Sequence, residues 1–187
     1  MNNYPRQGTA SALFVIDIQE DYTGRTARPP FPYKNSEELI ATVNKLTAEA
    51  ARKNIIVVYI RHEFDGIFWK TFSKLFYWGT ALKGTPGTEI DKRVNIISSH
   101  CFSKPAPNAF SNPEIEAFLN EHGVRELYLT GLDARFCVYE TAKAAKRKGY
   151  HVTIIKDAIA LKAENKWDSL LKQYDRRGIA LMSDGEF

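Results

Sequence analysis

Three residues of this 187-residue chain have the types and positions for covalent chemistry: Asp17, Lys104 and Cys137. Asp17 ends the apolar run Ala12-Leu-Phe-Val-Ile16, and Lys104 opens the stretch Lys104-Pro-Ala-Pro-Asn-Ala-Phe110. Cys137 follows Gly131-Leu-Asp-Ala-Arg-Phe136, just ahead of a helical pattern. A carboxylate closing a buried strand needs a partner or a task, because an isolated charge in an apolar interior is costly. A thiol near an ammonium and a helix N-terminus loses its proton more easily, since both stabilise the thiolate. A neighbouring carboxylate can take that proton, so the three side chains suffice for thiolate attack on a carbonyl carbon. Backbone N–H groups of the tight loop before Cys137 are suited to hold the oxyanion. Taken singly, each residue also has a plain structural reading: an Asp capping a loop, a surface Lys, a buried thiol.

The elements that would position these residues are legible as alternating patterns. Residues 12–16 and 55–60 are β-branched or apolar runs suited to strands buried on both faces, 95–97 is a weaker third, and 124–130 a fourth. Asn35 with Glu38 three residues on resembles a capping box, and Leu39, Ile40, Val43 and Leu46 continue at helical spacing to about residue 52. Asn112-Pro113-Glu114 reads as cap, first-turn proline and first-turn acid, with Gly123 ending that helix. A helix over 136–148, a strand over 151–156, a helix over 164–176 and a strand over 178–182 complete the series. Strands alternating with helices predict an α/β, doubly wound, mostly parallel sheet of about six strands with helices on both faces, in a single domain. Ligands in such sheets sit outside the carboxyl ends of the strands, where Asp17, Lys104 and Cys137 all fall.

Composition narrows the function classes. Apolar residues make up 44% and charged residues 26%, which fits one well-packed core and excludes a disordered or low-complexity chain. The net charge of +4 is scattered; its densest group, Lys143, Lys146, Arg147 and Lys148, falls at a predicted helix end, where cations favour the dipole. No nucleic-acid partner is therefore expected. No apolar run reaches the roughly 18 residues of a membrane span, and the polar N-terminus lacks a signal-peptide core, so a cytoplasmic protein without a membrane partner is expected. Two cysteines, Cys101 and Cys137, are too few for a disulfide framework and carry no CxxC pairing for zinc. Cys101 is expected to be a buried structural thiol. No GxGxxG or P-loop follows any predicted strand, which sets aside nucleotide binding.

Residues 62–86 break the strand–helix rhythm with an insertion carrying seven aromatic residues between Phe64 and Trp78. Phe68, Phe72 and Phe76 are four apart, so a short helix would present them as one stripe. That stripe suits a satellite core, a subunit contact or the wall of a substrate pocket.

Three blocks in this order and spacing, Leu13-Phe-Val-Ile-Asp-Ile-Gln19, Lys104-x-x-x-Asn-Ala-Phe110 and Thr130-Gly-Leu-Asp-Ala-Arg-Phe-Cys-Val-Tyr-Glu-Thr-Ala142, resemble the isochorismatase-like cysteine hydrolase superfamily. Gly84-Thr-Pro-Gly-Thr-Glu89 and Asp157-Ala158 resemble its intervening segments. The resemblance spans nearly the whole chain and implies Asp17 as general base and acid, Lys104 as the orienting cation and Cys137 as nucleophile. It further implies the backbone N–H groups of Asp133 and Cys137 as oxyanion donors, and a homo-oligomer, dimer or tetramer. Gln19, Phe68, Trp69, Phe72, Asn108 and Arg135 are the residues expected to bind a small-molecule substrate. Arg135 would do so by meeting an anionic group.

Two departures from the family pattern direct the functional expectation. Members that cleave nicotinamide carry an Asp-x-His pair and another His to hold a metal, where this chain reads Ile60-Arg-His-Glu-Phe-Asp65. His62 and Asp65 are the potential ligands left, and no metal or other cofactor is expected. Members that hydrolyse the vinyl ether isochorismate commonly lack the cysteine, whereas Cys137 is present. The expectation is cleavage of a C–N bond in a small amide or carbamoyl-like substrate through a cysteine acyl-enzyme. Its rivals are vinyl-ether hydrolysis with an idle thiol, and a non-catalytic binding protein on the same fold.

Overall fold

The computed structural model describes residues 10–28, 31, 33–76 and 78–187. Strands Ala10–Ile16 (β1), Ile56–His62 (β2), Cys101–Lys104 (β3), Val124–Gly131 (β4), His151–Ile159 (β5) and Ala180–Met182 (β6) are linked by helices. These are Ser36–Arg52 (α1), Ile67–Phe76 (α2), Pro113–Glu121 (α3), Cys137–Arg147 (α4) and Trp167–Arg176 (α5). All strand pairs are parallel, in the order β3-β2-β1-β4-β5-β6. This is the doubly wound α/β architecture read from the strand–helix alternation.

The apolar runs form strands because side chains alternate between two cores. Ala12, Phe14 and Ile16 of β1 join Val58, Ile60, Leu127 and Leu129 on one face, while Leu13 and Val15 join Val57 and Tyr59 on the other. A strand buried on both sides must be apolar at every position, which is why β1 reads as a continuous run. The first core is covered by α3, α4 and α5 through Ile115 and Leu119, Val138 and Ala142, and Leu170 and Tyr174. The second is covered by the Leu39, Ile40, Val43, Leu46 stripe of α1 together with Phe187. Each such fully buried side chain contributes about 1.5–3 kcal/mol relative to exposure.

Several local expectations are corrected. Residues 95–97 form no strand: Ile96 and Ile97 are 59% and 45% exposed, and the third strand is Cys101–Lys104, paired with Tyr59–His62. Register with β2, rather than apolarity, selects this edge strand, so Lys104 is its last residue and not part of a following loop. Cys101 is correspondingly exposed instead of buried. Asn35 occupies the N-cap of α1 without a side-chain capping bond, whereas the Asn112 side chain does accept the Glu114 N–H at α3, with Pro113 in the first turn. The insertion contains the expected short helix, α2, with Ile67, Phe68 and Leu75 exposed. Among the described residues, no helix is long and apolar enough to cross a membrane.

Connections run outward in opposite directions from β1 and β4, which places the topological switch point between these adjacent strands. Their close approach requires glycine at the end of β4. Gly131 has φ +104°, and a Cβ there would lie 2.0 Å from the Ile16 carbonyl oxygen.

Candidate active site

Each chemistry-bearing residue is delivered by a strand end or helix start at this switch point. Asp17 follows β1 directly, and its N–H donates to the Ile60 carbonyl (2.8 Å), extending the pairing one residue beyond the strand. Its φ of +55° lies in the left-handed region that side-chain-bearing residues rarely adopt, a conformation that persists only where surrounding contacts enforce it. Lys104 ends β3 opposite His62, its Cα partner at the end of β2. Cys137 opens α4.

The loop before Cys137 is organised by Asp133. Its carboxylate accepts from the Arg135 N–H (2.8 Å), the Lys162 N–H (3.0 Å) and the Tyr33 hydroxyl (3.0 Å), and its carbonyl accepts from the N–H groups of Phe136 and Val138. Burial and the Asp133 charge hold the Tyr33 phenol well above its ordinary range. Leu132 and Ala134 N–H groups are taken by the Ile16 and Ala160 carbonyls. Those of Asp133 and Cys137 meet no acceptor among the described residues.

Lys104 is the hub. It is fully buried, and Nζ contacts Asp17 Oδ2 at 2.8 Å, Cys137 Sγ at 3.3 Å and His62 Nδ1 at 3.4 Å. An ammonium has three N–H groups, and here three side chains surround it. Burial pulls Lys104 down, but Asp17 and Cys137 more than offset this and hold it above the ordinary lysine value, so it stays charged. Burial and the Lys104 charge lower His62 to about 4, so its ring is neutral near pH 7 and free to accept at Nδ1.

The thiol differs from its expected state. Burial and the Asp17 carboxylate push Cys137 well above the ordinary thiol range, more than Lys104 pulls it down. Lys104 favours the thiolate through its charge and its hydrogen bond but does not outweigh burial and Asp17. A nucleophile at rest as the thiol needs a base at the moment of attack. Asp17 Oδ1 is buried with no hydrogen-bond partner among the described residues, an acceptor available for that proton.

A cavity of about 370 Å³ opens over Asp17, His62 and Cys137, walled by Tyr22, Phe31, Tyr33, Phe64, Trp69, Leu132 and Phe136. Of the sequence-predicted residues, Asp17, Asp133, Cys137 and Trp69 line it, with Lys104 buried beneath. Gln19 does not: its fully buried amide donates to the His62 and Thr88 carbonyls and accepts the His62 N–H, leaving nothing for a substrate. Asn108 instead caps a short turn by accepting the Phe110 N–H. Phe68 is 72% exposed and Arg135 is exposed; neither lines the cavity, because Phe68 lies on the solvent side of α2 and the Asp133 turn leaves Arg135 outside. The side chain of Phe72 lies outside the described residues. Sequence reading missed Tyr22, Phe31 and Tyr33 as walls, whose signal is position in the loop leaving the end of β1, whereas Phe64 belongs to the aromatic insertion read as suited to a pocket wall.

The residues left for the family's metal do not fit one. His62 Nδ1 faces the Lys104 ammonium, and exposed Asp65 pairs with Lys83 at 2.8 Å while accepting the Gly66 N–H. Among the described residues, no three His, Cys, Asp or Glu side chains converge as ligands.

A doubly wound parallel sheet whose strand ends bring together a buried Asp, a buried Lys and a half-buried Cys defines a class of α/β proteins with a strand-end cysteine site. Residues 11–186 match the isochorismatase domain model, and the chain belongs to the isochorismatase family. It is similar to YddQ of Bacillus subtilis, named an uncharacterised isochorismatase family protein, at 29% identity over 80% of this chain and 77% of the relative. It is similar at 28% identity, over 80% of both chains, to an Arabidopsis thaliana protein named "Probable inactive nicotinamidase". In structure it resembles N-carbamoylsarcosine amidase from Thermoplasma acidophilum, with a TM-score of 0.78 at 23% identity over 96% of this chain and 99% of the other.

Proposed function

We propose that this protein hydrolyses the C–N bond of a small amide or carbamoyl-like substrate through an acyl-enzyme on Cys137. The observation that carries this reading is that one buried ammonium, Lys104, touches both the Asp17 carboxylate and the Cys137 sulfur. Asp17 Oδ1 takes the thiol proton as sulfur bonds the carbonyl carbon. Negative charge then develops on the carbonyl oxygen, where the N–H groups of Asp133 and Cys137 act as donors. The protonated Asp17 returns its proton to the amine as the C–N bond breaks. Asp17 next takes a proton from water; the hydroxyl adds to the thioester carbon, the C–S bond breaks, and sulfur recovers the proton. His62 and Lys104 move no proton in this sequence.

The aromatic walls and the cavity volume favour a small substrate with an apolar acyl group. The N-carbamoylsarcosine amidase neighbour supports C–N cleavage on this fold, whereas the name of the Arabidopsis relative makes a direct test of turnover essential. Release of ammonia or amine from a panel of small amides is expected for the native chain and lost in Cys137→Ala with the fold intact. Full activity in that variant would overturn the covalent mechanism. The raised thiol favours one second reading, vinyl-ether cleavage in which Asp17 protonates the substrate and sulfur is idle. That reaction survives Cys137→Ala.

A further inference from the structure

Lys104 does not hold its own position. Its long side chain reaches a point shared by Asp17 and Cys137, and a buried ammonium with one unmet N–H would tilt or recruit water. The third contact is His62, and His62 is fixed more firmly than a passive core residue requires. Gln19 grips its main chain on both sides, accepting the His62 N–H at 2.7 Å and donating to the His62 carbonyl at 3.1 Å. The ring packs edge-on against Phe64, with centroids 4.6 Å apart. Strand register then sets His62 opposite Lys104, which brings Nδ1 to 3.4 Å from Nζ.

We infer that His62 is a positioning residue: its neutral imidazole accepts the third N–H of Lys104 and so aims the ammonium at Asp17 and Cys137. The charged or titratable groups facing the ring are Lys104 from β3, Asp17 from the end of β1 and, through Lys104, Cys137 from α4. On β2 itself, Arg61 and Glu63 pair with each other at 3.3 Å. Protonation of His62 would place a second cation against Lys104 and remove the acceptor, so the array is intact only while the ring is neutral. Gln19 acts one step further out, by clamping the backbone that carries the ring.

For its effect on turnover, this inference rests on the proposed hydrolase reading. Its test does not, because alkylation of Cys137 by iodoacetamide reads the Lys104–Cys137 contact whether or not any substrate is hydrolysed. Labelling rates across pH, by intact-protein mass spectrometry, are compared for the native chain, His62→Asn and His62→Leu, each with its thermal midpoint. The asparagine oxygen can replace Nδ1 as acceptor; leucine has none. His62→Leu is expected to label about tenfold more slowly at mildly alkaline pH, with its pH midpoint shifted upward, while His62→Asn stays within about threefold of the native rate. If His62→Leu does not fold, His62→Gln, whose acceptor is displaced by one methylene, takes its place with the same expectation of slowed labelling. Native rates in a folded variant lacking the placed acceptor overturn the inference, as does equal slowing in folded His62→Asn. If instead Cys137→Ala retains turnover, the covalent mechanism fails while the labelling comparison still decides the role of His62.

Discussion

Asp17 Oδ2 and Lys104 Nζ meet at 2.8 Å with both side chains buried, although β2 separates their strands in the sheet. Removing one member of such a pair leaves the other as an uncompensated buried charge. Lys104→Met is therefore expected to destabilise the protein by about 3–5 kcal/mol. The Asp17→Asn, Lys104→Met double variant should be more stable than the two single losses add up to. Urea unfolding of the four proteins measures this coupling, and strict additivity would show that the pair is not coupled.

The same pairing governs the thiol. Burial first, then the Asp17 carboxylate, raises Cys137, so alkylation of the native chain should be slow at neutral pH and should climb through the alkaline range. Asp17→Asn removes the opposing charge and frees Lys104 to stabilise a thiolate. Labelling of that folded variant at neutral pH should be faster by about tenfold even as its hydrolytic turnover is lost. Unchanged labelling would contradict the electrostatic ordering of the three groups.

His62 links stability to pH. Its folded value of about 4 lies below the unfolded value of 6.5, so between these limits the unfolded chain binds the extra proton. Stability from this group is complete above about pH 6.5 and falls as pH drops towards 4, by roughly 3 kcal/mol in all. His62→Asn cannot titrate and should flatten that part of the profile. Chemical denaturation of both proteins across this range is the measurement.

Trp69 and Phe68 are neighbours on α2 with different surroundings. Trp69 lines the cavity beside Phe64, with ring centroids 6.0 Å apart, whereas Phe68 is 72% exposed. For any amide the protein hydrolyses, Trp69→Ala should raise KM by roughly tenfold and Phe68→Ala by less than about twofold. Equal effects would place the substrate outside this cavity.

Gly131→Ala tests the close approach at the switch point. The added methyl group would lie 2.0 Å from the Ile16 carbonyl oxygen at a φ of +104°, so both the space and the backbone oppose it. A loss of at least about 2 kcal/mol in urea unfolding is expected.

Much of the fold was legible because the signals that specify it are local. The apolar runs of β1, β2 and β4 announce strands buried on both faces, the α1 stripe announces a helix over the sheet, and Asn112-Pro113 marks where α3 starts. The third strand was not legible, since Cys101–Lys104 is an edge segment chosen by its register with β2 while the more apolar Ile96 and Ile97 stay exposed. Asp17, Lys104 and Cys137 could be singled out from residue type and predicted strand ends. Of the aromatic residues expected to bind substrate whose side chains are described, Trp69 lines the cavity and Phe68 does not.

By itself the sequence determined which residues could form strands and helices, and which reactive groups those elements would carry to one end of the sheet. Period and composition act over a few residues, so that information survives without a third dimension. What each reactive group experiences was decided only by the tertiary structure. Lys104 meets an acid 87 residues away and a thiol 33 residues away, and Gln19 clamps a backbone 43 residues away instead of binding a substrate. Burial and charge at those meetings keep Lys104 charged, His62 neutral and Cys137 protonated. Desolvation and Coulomb interactions depend on distances that no local pattern encodes, which is why the sequence named the reactive groups and the fold set their protonation states.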